Sequence, residues 1–159
     1  VCFGKKTQVC GVLAGSRLDE VRDNVFTEPS RINSTFGGNL VDMVRCSTIL
    51  KIIDKEKLVD NACRRGRELL QGLENLSREF PDIVSNARGR GLMCAFDLPD
   101  GQKRNTFRAG LLREKLLVVG CGDRSIRFRP HLIITQAEVE LILQIIREVL
   151  KQPRRPVGK

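Results

Sequence analysis

Two periodicities alternate along this chain, and their alternation restricts the fold more than any other feature. From Leu58 to Phe80, Leu58, Leu69, Leu70, Leu73 and Leu76 recur at helical spacing, and Pro81 stops the run. "TQAEVELILQIIREVLKQ" repeats that period and opens with Thr135 and Glu138, three residues apart, as a capping box. Between them, "VSNARGRGLMCAFDL" reads as strand, glycine-rich bend, strand. "GQKRNTFRAGLLREKL" reads as helix and "LVVG" as strand. "SIRFRP" has period two, with Ser125, Arg127 and Arg129 on one face and Ile126 and Phe128 on the other. Helices interleaved with short strands imply a small α/β domain from about residue 56 onward, its helices packed on a mostly antiparallel sheet.

The residues before it read differently. Residues 1–3 and about 9–14 are short apolar strands flanking "GKKTQ". Two such strands cannot bury themselves, so they look like the end of another domain's sheet. A short helix follows with Ser16 as its cap, then a loop rich in turn formers, "FTEPSRINSTFGGN". Asn39 is placed to cap a helix carrying Leu40, Met43, Val44, Ile49, Ile52 and Ile53. The division implied is 1–38, then 39–152 as connecting helix and C-terminal domain, then a disordered tail over 153–159.

Composition narrows the chemistry. The net charge is +9, which invites a nucleic-acid partner, but the basic residues are scattered and the chain has neither Trp nor Tyr. A solvated basic surface without nucleic acid is the simpler account. The apolar runs fall far short of the ~20 residues of a membrane span. The six cysteines include no C-x-x-C pair, and His131 is the one histidine, which argues against a zinc site and for free thiols in a cytoplasmic protein.

Three short stretches could carry chemistry. In "GKKT" the lysine before Thr7 follows Lys5, where a phosphate-binding P-loop needs a glycine. A lysine at a strand end can instead condense with an aldehyde, and Gly4 beside Lys5 leaves room for a ring; Lys6 has no such neighbour. From spacing alone, a solvent-facing lysine pair at a turn is the simpler account. In "RINSTFGGN", Asn33, Ser34 and Thr35 precede glycines and a helix, an arrangement that suits either a phosphate or a turn and cap. Arg127 on a half-buried strand has the planar fork that fits a carboxylate, though an internal ion pair would use it equally well.

Taken in order, Gly-Lys after an apolar strand, "STFGGN" about 30 residues on and "R-x-x-P" near the C-terminus resemble class III pyridoxal-phosphate aminotransferases, over essentially residues 1–150. "FGKKTQVCGVLAG", "NVFTEPSRINSTFGGNLVDMVR" and "RGRGLMCAFDLP" are similar to members acting on lysine, and "GCGDRSIRFRP" also to those acting on 4-aminobutyrate. The resemblance implies an α/β fold of type I, with the end of the large domain followed by the small domain. It implies pyridoxal 5'-phosphate bound as a Schiff base to Lys5, which is also the catalytic base. Ser34 and Thr35 would hold the cofactor phosphate, Thr35 that of the partner subunit in a homodimer. Asn33 would line the substrate pocket, and Arg127, rather than Arg129, would receive the substrate carboxylate, with an amine and 2-oxoglutarate as substrates. The upstream cofactor-binding residues of such enzymes are not among these 159, so the chain by itself is expected to be inactive.

Overall fold

The computed structural model describes residues 1–5, 9–35 and 37–152. The expected tail, and Lys6 in the opening pair, lie outside the described residues. The chain divides into two compact units, Val1–Glu56 and Lys57–Lys159, so the helix expected to connect the domains is grouped with the N-terminal segment.

In the first unit, β1 (Cys2–Phe3) pairs antiparallel with β2 (Gly11–Val12). Ser16 does not cap a helix: Ser16–Glu20 is a single 3-10 stretch whose N-cap is Gly15, with no side-chain bond there. Asn24 organises the following loop, donating to the Leu18 and Val21 carbonyls and accepting from the Phe26 amide. Helix α1 (Leu40–Lys55) is capped as expected, the Asn39 side chain accepting from the amides of Val41 and Asp42. None of its residues is buried. Among the described residues of this unit, two strands of two residues and the 3-10 stretch Ser16–Glu20 offer too little surface to cover its apolar positions.

The second unit is self-contained. Its elements are α2 (Leu58–Glu79), β3 (Ser85–Arg90), β4 (Met93–Asp97), α3 (Gly101–Arg113), β5 (Val119–Cys121), β6 (Ser125–Phe128) and α4 (Gln136–Lys151). The strands form one antiparallel sheet in the order β3-β4-β6-β5. Alternation sends Cys94, Phe96, Ile126 and Phe128 to one face, where they meet Leu69, Leu73 and Leu76 of α2, Leu111 of α3 and Ile146 of α4. Phe96 is central, with ring centroids 6.0 Å from Phe107 and 5.9 Å from Phe128. The Thr135–Glu138 capping box forms at the start of α4. No helix among the described residues is long and apolar enough to cross a membrane.

Helix α2 can lie close on the β3–β4 hairpin only because Gly66 faces Gly91. Gly91 occupies the left-handed region at φ 52°, and a Cβ on Gly66 would overlap its carbonyl. That obstacle is backbone and cannot swing away. Gly66→Ala is therefore expected to destabilise the second unit by ~1–3 kcal/mol. Gly15→Ala, whose new methyl meets nothing within 4 Å, should leave the urea midpoint unchanged; equal midpoints for both variants would contradict the close-packing account.

Candidate functional site

The core-facing residues of the sheet leave its other face to polar chemistry. Register places Arg88 of β3 beside Ala95 of β4, and Ala95 beside Arg127 of β6. Val119 of β5 completes the row. Arg127 thus lies with Ser125 opposite the core residues Ile126 and Phe128, as the alternation of "SIRFRP" indicates. Its side chain is half-buried, and its Nε is fully buried with no hydrogen-bond partner. Among the described residues, two other buried side-chain atoms are similarly orphaned, Nε of Arg65 and Oε2 of Glu68, but those residues pair with each other at 2.8 Å. Arg127 has no such pair. A buried guanidinium nitrogen without an acceptor is costly, and the rest of the half-buried fork has the planar shape that takes a planar anion.

One row away sits a polar cluster that no local sequence pattern announced. Asp97 is 5% exposed. Ser125 donates its hydroxyl to Asp97 Oδ1 at 2.6 Å, Asn86 donates Nδ2 to Oδ2 at 2.9 Å, and Arg88 donates Nη1 to Oδ1 at 2.9 Å. Arg88 Nη2 also donates to Ser125 Oγ at 3.1 Å, reaching from β3 across β4 to β6. Nε of Arg124 lies 3.8 Å from Oδ2. The register shift between Ser85 and Arg88 and the left-handed Asn86, at φ 52°, deliver the Asn86 amide to this point. Burial pushes the Asp97 carboxyl up, but the hydrogen bonds from Ser125, Asn86 and Arg88 and the Arg88 charge outweigh it and hold it below its ordinary value. The sequence placed "RGRG" at a bend, but Arg88, Gly89 and Arg90 are paired in β3 and the turn begins only at Gly91; what stayed hidden was the partnership of Arg88 with a carboxylate nine residues later.

The remaining candidates belong to the first unit. Lys5 follows Gly4 at the end of β1, exposed and left-handed at φ 59°. A Cβ at Gly4 would come within 3.1 Å of Cys10 Sγ, so that approach is already close. Asn33, Ser34 and Thr35 share one exposed turn. The Asn33 side chain accepts from the Ser34 amide at 2.7 Å, and the Gly37 amide donates to the Ser34 carbonyl at 2.8 Å. The hydroxyls of Ser34 and Thr35 are left exposed on this turn, immediately before the Asn39 cap of α1. A primary amine beside a glycine and a hydroxyl pair at the approach to a helix fit a group bearing an aldehyde and a phosphate. The structure thus gathers Asn33, Ser34 and Thr35 on one turn, places Lys5 on a separate segment of that unit, and carries Arg127 in the other unit.

All six cysteines are free, as the sequence suggests, but only Cys94 is buried. Burial pushes its thiol up to about 11, so it acts as a small apolar side chain.

Comparison with known proteins gives this geometry its context. The family described as Aminotransferase class-III matches residues 1–150. An L-lysine-epsilon aminotransferase of Streptomyces clavuligerus is 50% identical over 147 residues, which are 92% of this chain and 32% of that protein. A solved lysine aminotransferase from M. tuberculosis superposes with a TM-score of 0.88 at 48% identity, covering 94% of this chain and 34% of the other. A mitochondrial 4-aminobutyrate aminotransferase of Homo sapiens is 35% identical over 148 residues, 93% of this chain and 28% of that protein. The chain therefore spans about a third of the length of these relatives.

The Asp97 cluster has a pH signature. Its carboxyl is depressed in the folded state, so the stability it contributes is fully present above the unfolded carboxylate value of about 3.9. That contribution is lost as pH falls through this value toward the depressed folded one. Asp97→Asn should consequently flatten the acid limb of a urea-midpoint profile; parallel profiles for variant and parent would mean that the cluster does not hold Asp97 ionised.

Proposed function

Because the chain belongs to the class-III aminotransferase family, we propose that the whole protein transfers the ε-amino group of L-lysine to 2-oxoglutarate with pyridoxal 5'-phosphate. The products are 2-aminoadipate 6-semialdehyde and glutamate. The preference for lysine over 4-aminobutyrate rests on 50% against 35% identity to relatives bearing those names. The structural observation that carries the reading is the half-buried Arg127, without an ion-pair partner among the described residues, on the sheet face away from the core.

Each residue then has a task. Lys5 would hold the cofactor through its amine, with Gly4 leaving room beside it. Ser34 and Thr35 would donate their hydroxyls to the phosphate, Thr35 to that of the partner in a homodimer. Asn33 would line the amine pocket. Arg127 would grip the α-carboxylate of lysine with both prongs of its fork, which leaves the far ε-amine as the group presented for reaction. When bound, the cofactor supplies an electron sink for the negative charge that develops on the substrate carbon. Lys5 Nζ would take the proton from the carbon bearing the amine and return it at the opposite end of the transfer. The same arginine would receive a carboxylate of 2-oxoglutarate in the second half of the cycle, so one anion site would serve both substrates.

Two experiments on the full-length protein test this. Lys5→Ala should abolish turnover and cofactor attachment, and Lys6→Ala should leave both largely in place; borohydride reduction followed by peptide mapping reads the attachment directly, and label on Lys6 would reverse the assignment. Arg127→Lys keeps the charge but loses the fork, and should lower kcat/KM for lysine by at least ~10-fold. An amine panel with 2-oxoglutarate as acceptor reads both points: a faster reaction with 4-aminobutyrate would replace the donor, and an unaffected Arg127→Lys would make that arginine a structural residue.

A further inference from the structure

Two arginines share the sheet face on which Arg127 lies, and only one of them is available. Arg88 and Arg127 occupy one row, separated by the small side chain of Ala95. Strand spacing sets their backbones ~10 Å apart. Arg88 does not stay on its own strand, however. Its Nη2 donates to Ser125 Oγ on β6, so its guanidinium lies across the sheet beside the strand that carries Arg127. Ser125 precedes Arg127 by two residues on the same face. A second cation is thus parked next to the anion site.

What keeps it from acting there is Asp97. It is the only acidic residue in the four strands of the sheet. It is also buried, and it accepts from Arg88, Ser125 and Asn86 together. Arg88 divides its donors among Asp97, Ser125 and the Asn86 carbonyl. Arg127, by contrast, keeps a buried nitrogen unpaired. The two guanidiniums differ in partner, not in type.

We propose that Asp97 is a specificity-determining residue: by holding Arg88 against Ser125 it removes the rival cation and confines a carboxylate to Arg127. This rests on the reading of Arg127 as the carboxylate receptor. It deepens that reading by saying why a face with two arginines offers one anion site. A substrate carrying a single carboxylate at one end is then seated in one register. Without the Asp97 charge, Arg88 becomes a second donor within reach of a dicarboxylate already held by Arg127, and a bridged, unproductive mode opens for molecules such as glutarate.

The test uses the full-length holoenzyme and glutarate, with lysine as varied substrate. Asp97→Asn should lower the glutarate inhibition constant ~3- to 10-fold at low salt, as one unmasked charge at such a distance would, and the effect should shrink as salt is added. Asp97→Asn/Arg88→Gln should return the constant to the parent value. A constant that is unchanged or raised in Asp97→Asn, or that stays lowered in the double variant, overturns the proposal. Should Asp97→Asn not fold, Arg88→Gln decides: it leaves the Asp97 charge unmasked near Arg127, so glutarate inhibition should weaken ~3- to 10-fold at low salt, and a constant equal to the parent's would overturn the proposal. Arg127→Lys in the same assay separates the two ideas. If it leaves glutarate inhibition untouched, the receptor reading fails; if it weakens inhibition while Asp97→Asn has no effect, only the role of Asp97 fails.

Discussion

The β4–β6 register governs everything in the second unit. Four consecutive pairs, Cys94 with Phe128, Ala95 with Arg127, Phe96 with Ile126 and Asp97 with Ser125, hold the two central strands together. Because successive side chains point to opposite faces, this one alignment sends two aromatic rings, an isoleucine and a thiol into the core. It also sends an arginine, an aspartate and a serine out of it. A slip of one residue would bury Arg127 and expose Phe96, exchanging a satisfied core for a desolvated charge. The helices reinforce the choice, since the leucines of α2 can close only over an apolar sheet face. Site and core are therefore set by the same ladder.

The parts that were legible in the sequence are those whose causes are local. Helical period located α2 and α4, and Thr135 with Glu138 announced a cap that needs only three residues to form. Alternation in "SIRFRP" assigned Arg127 to the face away from Phe128. What stayed hidden depends on distant neighbours. The Asp97 cluster joins side chains from three strands and a bulge, and no window around Asp97 contains Ser125, 28 residues later. Ser16 looked like a cap because serine often is one, yet its backbone belongs to a 3-10 stretch begun at Gly15. The helix over 40–55 forms, but its apolar residues do not gather into one stripe, and none is buried.

The first unit shows the reverse economy. It commits few residues to structure and leaves its chemical groups exposed: Lys5 at a strand end and two hydroxyls on a turn. Lys5 also sits in the left-handed region, which costs a β-carbon-bearing residue of order 1 kcal/mol or more. Such a conformation persists only where neighbours over-determine it. The close approach of Gly4 to Cys10 across the β1–β2 pair is one such restraint next to it.

The basic character of the chain also finds a local meaning. A net charge of +9 is a property of composition, and by itself it suits any polyanion. The sheet face places two of the chain's cations in fixed surroundings. Arg88 is consumed by Asp97 and Ser125, and Arg127 is recessed enough that its Nε is closed to solvent. Binding an extended phosphate backbone draws on many exposed cations that can each move to meet it. A recessed planar fork beside a paired neighbour has the opposite design, a single cation fixed by geometry rather than an accumulation of charge. On that ground the arrangement suits the proposed carboxylate at the end of a small molecule better than a polyanion.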